Sequence, residues 1–255
     1  MIGKLYGVGV GPGASDLMTL RAVNVLRAVP VLAIPRRDAF TPSFAWRIAQ
    51  PAVGEVPGQE GIFLEFPMTK DPARLVPAWD KALGQIGGAL EAGHDVAFLT
   101  EGDPLVYSTF IYLREAALAR WPRIAVEIVP AVTSLTAVAA AAGVPLADGQ
   151  ERVAVLPATY GVDDLVEVLE RFDTTVLMKV GSVMGQVVDA LERTGLLHHA
   201  VYVSKASTPD ETIVRDLRTL RNDKCDYFSM VIVAKKTRSG VLRGRLAAST
   251  EEARA

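Results

Sequence analysis

The sequence predicts an α/β protein with two lobes, each built on a mostly parallel sheet, and an active-site cleft between them. Short apolar runs alternate with helix-periodic stretches along the chain, which is the pattern of βαβ units. The chain has 255 residues. That length is enough for two domains of about 100–150 residues, each with its own core.

In the first half, the predicted strands and helices alternate regularly. The strands are expected at Leu5–Val10, Val31–Ile34, Ile62–Phe66 and Asp95–Leu99, and the helices near Leu17–Ala28, Phe44–Ala49, Arg74–Glu91 and Phe110–Ala119. Asp16 is a candidate cap or first-turn acid for the first helix, because its side chain can accept a free N–H group.

The second half contains further buried strands and a helix of small residues, Thr133–Ala142. The strands are expected at Ile124–Val129, Arg152–Leu156, Thr175–Val180, Val201–Val203 and Phe228–Ala234. Trp121-Pro122-Arg123 is the expected boundary, which gives a first lobe over residues 1–121 and a second over 122–245. The Ala-, Ser- and Glu-rich tail, residues 246–255, is expected to be disordered.

Composition excludes several classes of function. The net charge of −2 gives no general attraction to nucleic acid or membranes, and no apolar run approaches the roughly 18–20 residues of a membrane span. The single cysteine, Cys225, suits a reducing cytoplasm, and the polar start Gly3-Lys4 precedes no signal-peptide core. The three histidines lack metal-ligand spacing, so no metal site is expected.

The stretch Thr100–Phe110 is the strongest candidate for a functional loop. It follows the predicted strand Asp95–Leu99, and Gly102 and Pro104 force a sharp turn before the next helix. Ligands of open α/β sheets bind beside the carboxyl ends of strands, where this loop would lie. Gly102 has no Cβ, so a ligand could approach its backbone closely. A turn without a ligand role would contain the same residues, so the loop alone does not decide the function.

The glycine-rich opening Gly7–Ala14 joins the first strand to the first helix. Its second part satisfies the G-x-G-x-x-G/A dinucleotide pattern, and Arg36 or Arg37 could take the 2′-phosphate of NADP. Pro12 argues against this because it removes an amide that a pyrophosphate would use. An NADP-dependent reductase stays open as an alternative of another class.

Three motifs in a fixed order carry a family resemblance. They are Gly9-Val10-Gly11-Pro12-Gly13, Glu101-Gly102-Asp103-Pro104 and Val129-Pro130-Ala131-Val132-Thr133-Ser134. Together they resemble the tetrapyrrole methylase family of S-adenosylmethionine-dependent methyltransferases, over roughly residues 3 to 240. Glu101 and Ala131 stand where most relatives have glycine. Contacts between a ligand and the backbone can still form after both replacements.

Within that family, the chain most resembles the branch that methylates the C20 meso carbon of precorrin-2 in cobalamin (vitamin B12) biosynthesis. The stretches Glu101–Phe110, Phe66–Asp71 and Val176–Gly181 carry this closer resemblance. It implies a cytoplasmic, homodimeric C-methyltransferase that uses S-adenosylmethionine and gives precorrin-3A. The same reaction on a cobalt-containing substrate and a different regiospecificity both stay open, and so does a non-catalytic tetrapyrrole- or nucleotide-binding protein.

The resemblance also implies a set of cofactor contacts, mostly through backbone atoms. The implied residues are Glu101, Gly102, Asp103, Val106, Thr133, Ser134, Met178, Lys179, Ala206, Ser207, Ser229 and Met230. Asp103 is the candidate for a catalytic side chain, by fixing its loop or by contacting donor or substrate. A helix cap without a ligand role is the alternative for Thr133-Ser134, and core packing is the alternative for Met178 and Met230.

The implied tetrapyrrole carries acetate and propionate groups, which arginine and lysine side chains bind directionally. The candidate substrate-binding residues are Gly11, Pro12, Gly13, Arg36, Arg37, Lys70, Tyr107 and Arg114. Arg36 and Arg37 are the first candidates to clamp the carboxylates, and Tyr107 and Tyr112 could flank the macrocycle. A solvated surface role is the alternative for each basic residue.

Overall fold

The computed structural model describes residues 1–67, 69 and 71–236. They form two compact units that divide between Ala137 and Val138, and each unit contains a five-stranded sheet. The predicted α/β fold class is therefore confirmed. The predicted disordered tail, residues 246–255, and Lys70 lie outside the described residues. No helix in the described part of the chain is long and apolar enough to cross a membrane.

The first sheet is parallel throughout, as predicted. Its strands are β1 (Leu5–Gly9), β2 (Val31–Arg36), β3 (Glu60–Glu65), β4 (Val96–Thr100) and β5 (Val126–Val129). They pair in the order β3-β2-β4-β1-β5. The central strand β4 is buried at every position, which explains its uninterrupted apolar sequence.

Four helices cover the two faces of this sheet. They are α1 (Leu20–Ala28), α2 (Phe44–Val53), α3 (Pro72–Glu91) and α4 (Phe110–Arg120). One apolar cluster joins α1 and α2 to the sheet, and a second cluster joins α3 and α4 to it. Thr19 caps α1 by accepting the N–H of Ala22 at 3.1 Å, whereas Asp16 lies in a preceding 3-10 turn.

β1 and β4 are neighbours whose outgoing connections run in opposite directions. The chain passes from β1 to β2 on one side, and it passes from β4 to β5 on the other. Such a reversal of direction marks the switch point of an open α/β sheet, beside which ligands bind. The stretch predicted to be functional, Thr100–Phe110, begins at this point with the last residue of β4.

The second sheet is mixed, so the prediction of a mostly parallel sheet was wrong for this unit. Its strands are β6 (Val153–Pro157), β7 (Thr174–Met178), β8 (Ala200–Ser204), β9 (Thr212–Val214) and β10 (Ser229–Ala234). The order is β6-β7-β10-β8-β9, and only β6 and β7 pair in parallel. The last strand, β10, lies between β7 and β8 and is antiparallel to both. β8 and β9 also form an antiparallel pair.

Three helices lie in this part of the chain: α5 (Ser134–Ala142), α6 (Val162–Arg171) and α7 (Met184–Arg193). One apolar cluster joins α6 and α7 to the second sheet. The division between the units falls within α5, later than the expected boundary at Trp121. The reason is β5, which pairs in parallel with β1 and thus completes the first sheet.

Candidate functional site

The loop that follows β4 is held in place by the carboxylate of Asp103. One carboxylate oxygen, Oδ1, accepts the N–H of Leu105 at 2.9 Å, and Oδ2 accepts the N–H of Ala131 at 3.0 Å. The first bond closes the turn, and the second joins the loop to the chain that leaves β5. The residue predicted to be catalytic therefore has both oxygens engaged by backbone donors.

Backbone hydrogen bonds also join this loop to the opening glycine turn. The N–H of Gly102 donates to the carbonyl of Gly11 at 2.8 Å, and the reverse bond spans 3.4 Å. Both glycines have left-handed backbones, with φ of +86° at Gly11 and +64° at Gly102. A Cβ added at Gly102 would meet nothing within 4 Å. The space beside the Cα of Gly102 is therefore free of protein atoms, whereas its N–H and carbonyl are bonded to Gly11.

Gly9 allows the three strand ends to pack together. A Cβ at this position would lie 2.6 Å from the Cβ of Ala131 and 2.6 Å from the carbonyl oxygen of Gly102. Those distances leave no space for a side chain. The glycine of the opening motif therefore has a packing role at the junction of β1, β4 and β5.

The opening turn lacks the geometry of a dinucleotide-binding loop. In that motif the glycine turn leads directly into a helix, whose N-terminus holds the pyrophosphate. Here a 3-10 turn, Ser15–Leu17, follows Gly13, and α1 begins only at Leu20. Gly11 is occupied by its bonds to Gly102, while Pro12 and Gly13 are partly buried beside it. These features disfavour the NADP alternative.

Sequence reasoning missed two hydroxyl groups beneath this loop. The side chains of Thr100 and Ser108 are buried and share a hydrogen bond of 2.8 Å. Ser108 also accepts the N–H of Phe110 at 3.1 Å, at the start of α4. The signal was available, because serine and threonine just before an apolar-periodic stretch are typical of helix caps.

Glu101 differs from its neighbours because its carboxylate has no hydrogen-bond or ion-pair partner among the described residues. Its side chain is exposed to water. Desolvation by the surrounding protein nevertheless raises the pKa of this carboxyl to about 7. A carboxyl group can be exposed and still have a raised pKa when many protein atoms surround it and water reaches it from one side. Such surroundings are typical of the entrance to a ligand site.

The predicted cofactor residues around the start of α5 have local roles. The hydroxyl of Thr133 accepts the N–H of Thr136 at 3.4 Å and bonds its hydroxyl at 3.2 Å, which caps the helix. Ser134 is the first residue of α5 and is partly buried. Val106, also partly buried, donates its N–H to the carbonyl of Asp103 at 3.2 Å.

The structure gives the two favoured carboxylate clamps internal partners. Arg36 forms an ion pair with Glu65 at 2.8 Å, and its Nε is buried without a hydrogen-bond partner in the described chain. Arg37 forms an ion pair with Asp38 at 2.8 Å. The hydrogen bond from Arg37, followed by that from the Thr41 hydroxyl, lowers the pKa of Asp38 to about 2.

The other predicted substrate residues have different surroundings. Arg114 lies half-buried on α4, and its guanidinium has no partner within the part of the chain that the structure describes. Tyr107 is exposed and has a left-handed backbone with φ of +52°. Tyr112 is exposed as well and contacts the ring of Trp79 edge-on. Unlike Arg36 and Arg37, which are paired with carboxylates, Arg114 has no competing carboxylate in the described chain.

In the second unit, the structure brings the predicted cofactor residues to one edge of the sheet. Met178 ends β7, and Met230 is its direct cross-strand partner near the start of β10. Ser229 pairs with Ser204, the last residue of β8, so the loop Ala206-Ser207 leaves from the same edge. The six residues gathered there are Met178, Lys179, Ala206, Ser207, Ser229 and Met230.

Backbone strain marks the same edge. Lys179, Lys205 and Ser207 have left-handed backbones, with φ of 57°, 50° and 63°. For residues other than glycine such conformations are costly, and they cluster at ligand sites. Ser207 is further fixed by its N–H, which donates to Glu211 at 2.7 Å. The strain supports a functional role for this edge.

Sequence reasoning also missed Asp226, which organises the segment ahead of β10. Its carboxylate forms an ion pair with Lys205 at 3.2 Å and accepts the N–H of Phe228 at 2.8 Å, while its carbonyl accepts the hydroxyl of Ser229. A Cβ at Gly181 would lie 2.6 Å from the Asp226 carbonyl oxygen. No sequence motif signals these contacts, because they join three separate segments.

The comparisons with known proteins agree with these motifs. A family model described as tetrapyrrole (corrin/porphyrin) methylases matches residues 4–220. The cobalt-precorrin-2 C(20)-methyltransferase of Salmonella typhimurium is 35% identical over 238 residues, which cover 92% of this chain and 98% of that protein. The precorrin-2 C(20)-methyltransferase of Sinorhizobium sp. is 30% identical over 243 residues, covering 91% and 95%.

Solved structures show the same fold. The uroporphyrin-III C-methyl transferase of Thermus thermophilus, complexed with S-adenosyl homocysteine, superimposes with a TM-score of 0.66 at 23% identity. The match covers 91% of this chain and 98% of that one. With a family model that spans most of its length and whole-length relatives at 30–35% identity, this chain belongs to the tetrapyrrole (corrin/porphyrin) methylase family.

Proposed function

We propose that this protein is an S-adenosylmethionine-dependent methyltransferase that methylates the C20 meso carbon of precorrin-2 and gives precorrin-3A in cobalamin biosynthesis. The observation that carries the proposal is the whole-length similarity to two relatives that are both named C(20)-methyltransferases. We further expect a cytoplasmic homodimer, as the family resemblance implies.

Each unit, taken by itself, contains residues that we propose as contacts for S-adenosylmethionine. Gly102 offers an open backbone, on which no Cβ would meet another atom within 4 Å, beside the partnerless carboxylate of Glu101. In the second unit, Met178 and Met230 are cross-strand partners next to the strained backbone of Lys179, and we propose that adenine binds beside this pair. Asp103 and Thr133 would act through the backbone that they hold.

When bound, this cofactor supplies a methyl group on a positively charged sulfur, which a carbon nucleophile can attack in line. The meso carbon of an electron-rich tetrapyrrole is nucleophilic without prior activation by a thiolate or serine. The tasks left to this chain are to orient both partners and to exclude water. The engaged carboxylate of Asp103 fits an orienting role, which it would exert through the loop.

The substrate carboxylates require cations. Arg114 is partnerless and half-buried on the helix that follows the loop, so we propose it as the first clamp. Arg36 and Arg37 would take part only by sharing their guanidinium groups with Glu65 and Asp38. Lys70 stays a proposed contact from the sequence alone, and so does Tyr107 beside the macrocycle.

One incubation tests the function and the form of the substrate. The protein is mixed with donor carrying a ¹³C-labelled methyl group and with either metal-free or cobalt-loaded precorrin-2, and the product is examined by mass spectrometry and carbon NMR. We expect one new methyl group, on C20. The relative rates with the two rings show whether the metal-free or the cobalt-containing form is the substrate. A methyl group on a pyrrole-ring carbon would contradict the branch, and no methylation of either form would contradict the substrate class.

A further inference from the structure

Methylation at a meso carbon that bears hydrogen must release a proton. The electron pair of C20 forms the new carbon–carbon bond while the methyl–sulfur bond breaks, and its electrons stay on sulfur. The ring is then a cation whose C20 carries both hydrogen and methyl. Loss of that hydrogen as a proton returns the electron pair of its bond to the conjugated system. The reaction therefore gives one proton for each methyl group transferred, and a base must receive it.

The first unit offers one carboxylate suited to this task. Glu101 directly follows the carboxyl end of β4, at the switch point of the sheet. It is adjacent to Gly102, where an added Cβ would meet no atom within 4 Å. Asp103 is unsuited because both of its oxygens accept backbone N–H groups. The one histidine of this unit, His94, precedes β4 and so lies at the opposite end of the strand.

The surroundings of Glu101 also suit a base. No lysine, arginine or histidine of the described chain forms an ion pair with it, and its carboxylate accepts no hydrogen bond there. Desolvation is the only cause of its raised pKa, so no charged neighbour contributes to the shift. A group that titrates near neutral pH can accept a proton and release it to water within one turnover.

We propose that Glu101 removes the proton from the methylated C20 carbon, an inference that rests on the proposed function. This assigns a catalytic role to a side chain at a position where the wider family has glycine. The two acidic residues of the loop then have different functions. Glu101 accepts the proton from C20, whereas Asp103 fixes the backbone by accepting two N–H groups.

The first test compares Glu101→Gln with Glu115→Gln, which removes a carboxylate from an exposed position on α4. We expect Glu101→Gln to bind S-adenosylhomocysteine as the wild type does and to lose about 100-fold or more in kcat. Wild-type kcat should rise with pH around a midpoint of about 7, and the variant should lack this rise. Glu115→Gln should keep both the rate and the profile. Adding formate to Glu101→Gly should restore part of the lost rate.

A second test needs no methyl transfer. Precorrin-2 is incubated in D2O with the protein and S-adenosylhomocysteine, and exchange of the C20 hydrogen is followed by NMR. Exchange requires a group beside C20 that both donates a deuteron and removes the original proton. We therefore expect fast exchange in the wild type and in Glu115→Gln, and slow exchange in Glu101→Gln. Full turnover or full exchange by Glu101→Gln would overturn the role of Glu101 and leave the proposed function intact. A wild-type protein that methylates neither form of precorrin-2 would overturn both.

Discussion

The carboxylate of Asp103 accepts the backbone N–H of Ala131 at 3.0 Å, and this bond ties the loop after β4 to the chain leaving β5. A carboxylate suits the position, because it accepts at two oxygens and donates at neither. The two loops are therefore held in one arrangement by a bond within the protein itself. Such preorganisation lowers the cost of ordering the site on binding.

Replacing Asp103 by asparagine should damage this arrangement. The side-chain NH2 group of asparagine would face one of the two N–H donors and leave it unsatisfied. We expect the free energy of unfolding to fall by about 1–3 kcal/mol. Affinity for S-adenosylhomocysteine should fall by about tenfold, the effect of about 1.4 kcal/mol. Urea unfolding and titration calorimetry measure the two quantities. Asp80→Asn, on an exposed position of α3, is the control, and equal losses in both variants would contradict the role of Asp103.

The open backbone at Gly102 can be tested against a glycine of the same conformation. Gly102 and Gly195 have φ of +64° and +69°, and an added Cβ would meet nothing within 4 Å at either position. Alanine should therefore cost each variant about 1–2 kcal/mol of stability through the backbone alone. Gly102→Ala should also weaken S-adenosylhomocysteine binding, whereas Gly195→Ala, which follows α7, should bind normally. Similar affinities in the two variants would show that no ligand contacts Gly102.

Gly9 should tolerate no side chain. The Cβ of Gly9→Ala would lie 2.6 Å from both the Ala131 Cβ and the Gly102 carbonyl oxygen, so the strand ends must separate. We expect a loss of about 1–3 kcal/mol in the free energy of unfolding, as in overpacked cores. Gly61→Ala is the control within a strand, because its Cβ would lie 3.5 Å from Ile34, an ordinary contact. If thermal unfolding showed the two variants to be equally stable, the packing role of Gly9 would be wrong.

The raised pKa of Glu101 should appear in the pH dependence of stability. Its carboxyl has a pKa of about 7 in the folded protein, against the ordinary glutamate value of 4.5. Between those values the folded state binds more protons than the unfolded state, so wild-type stability falls as pH rises. Glu101→Gln lacks this penalty. Its Tm should exceed that of the wild type at about pH 8 and match it near pH 4.

Because the Glu101 side chain is exposed, solvent screening limits the size of that difference, and its sign is the test. A Tm difference between Glu101→Gln and wild type that stayed constant with pH would refute the assigned shift.

The first sheet was predictable because each of its strands carries a local signal. Its strands are apolar runs separated by helices, and right-handed crossovers then favour a parallel sheet. The second sheet was not predictable in the same way, since a buried strand has the same composition in parallel and antiparallel pairs. β9, Thr212–Val214, has only three residues and is too short to be recognised.

The candidate site shows the same division between local and distant information. The turn at Gly102 and the cap at Thr133 follow from residues close in sequence. The bond from Ala131 to Asp103 joins residues 28 positions apart, and the ion pairs Arg36–Glu65 and Lys205–Asp226 also join distant parts of the chain. Such contacts depend on register and topology, which residue spacing does not reveal.

The left-handed backbones at Lys179, Lys205 and Ser207 have a consequence for laboratory evolution. Glycine or asparagine adopts this conformation at lower cost, so a library screened only for heat resistance would accumulate those residues at all three positions. The surviving clones would gain thermal tolerance while relaxing the edge of the sheet that the natural chain keeps strained. Engineering for thermostability should therefore keep these three residues unchanged and vary exposed helical positions instead.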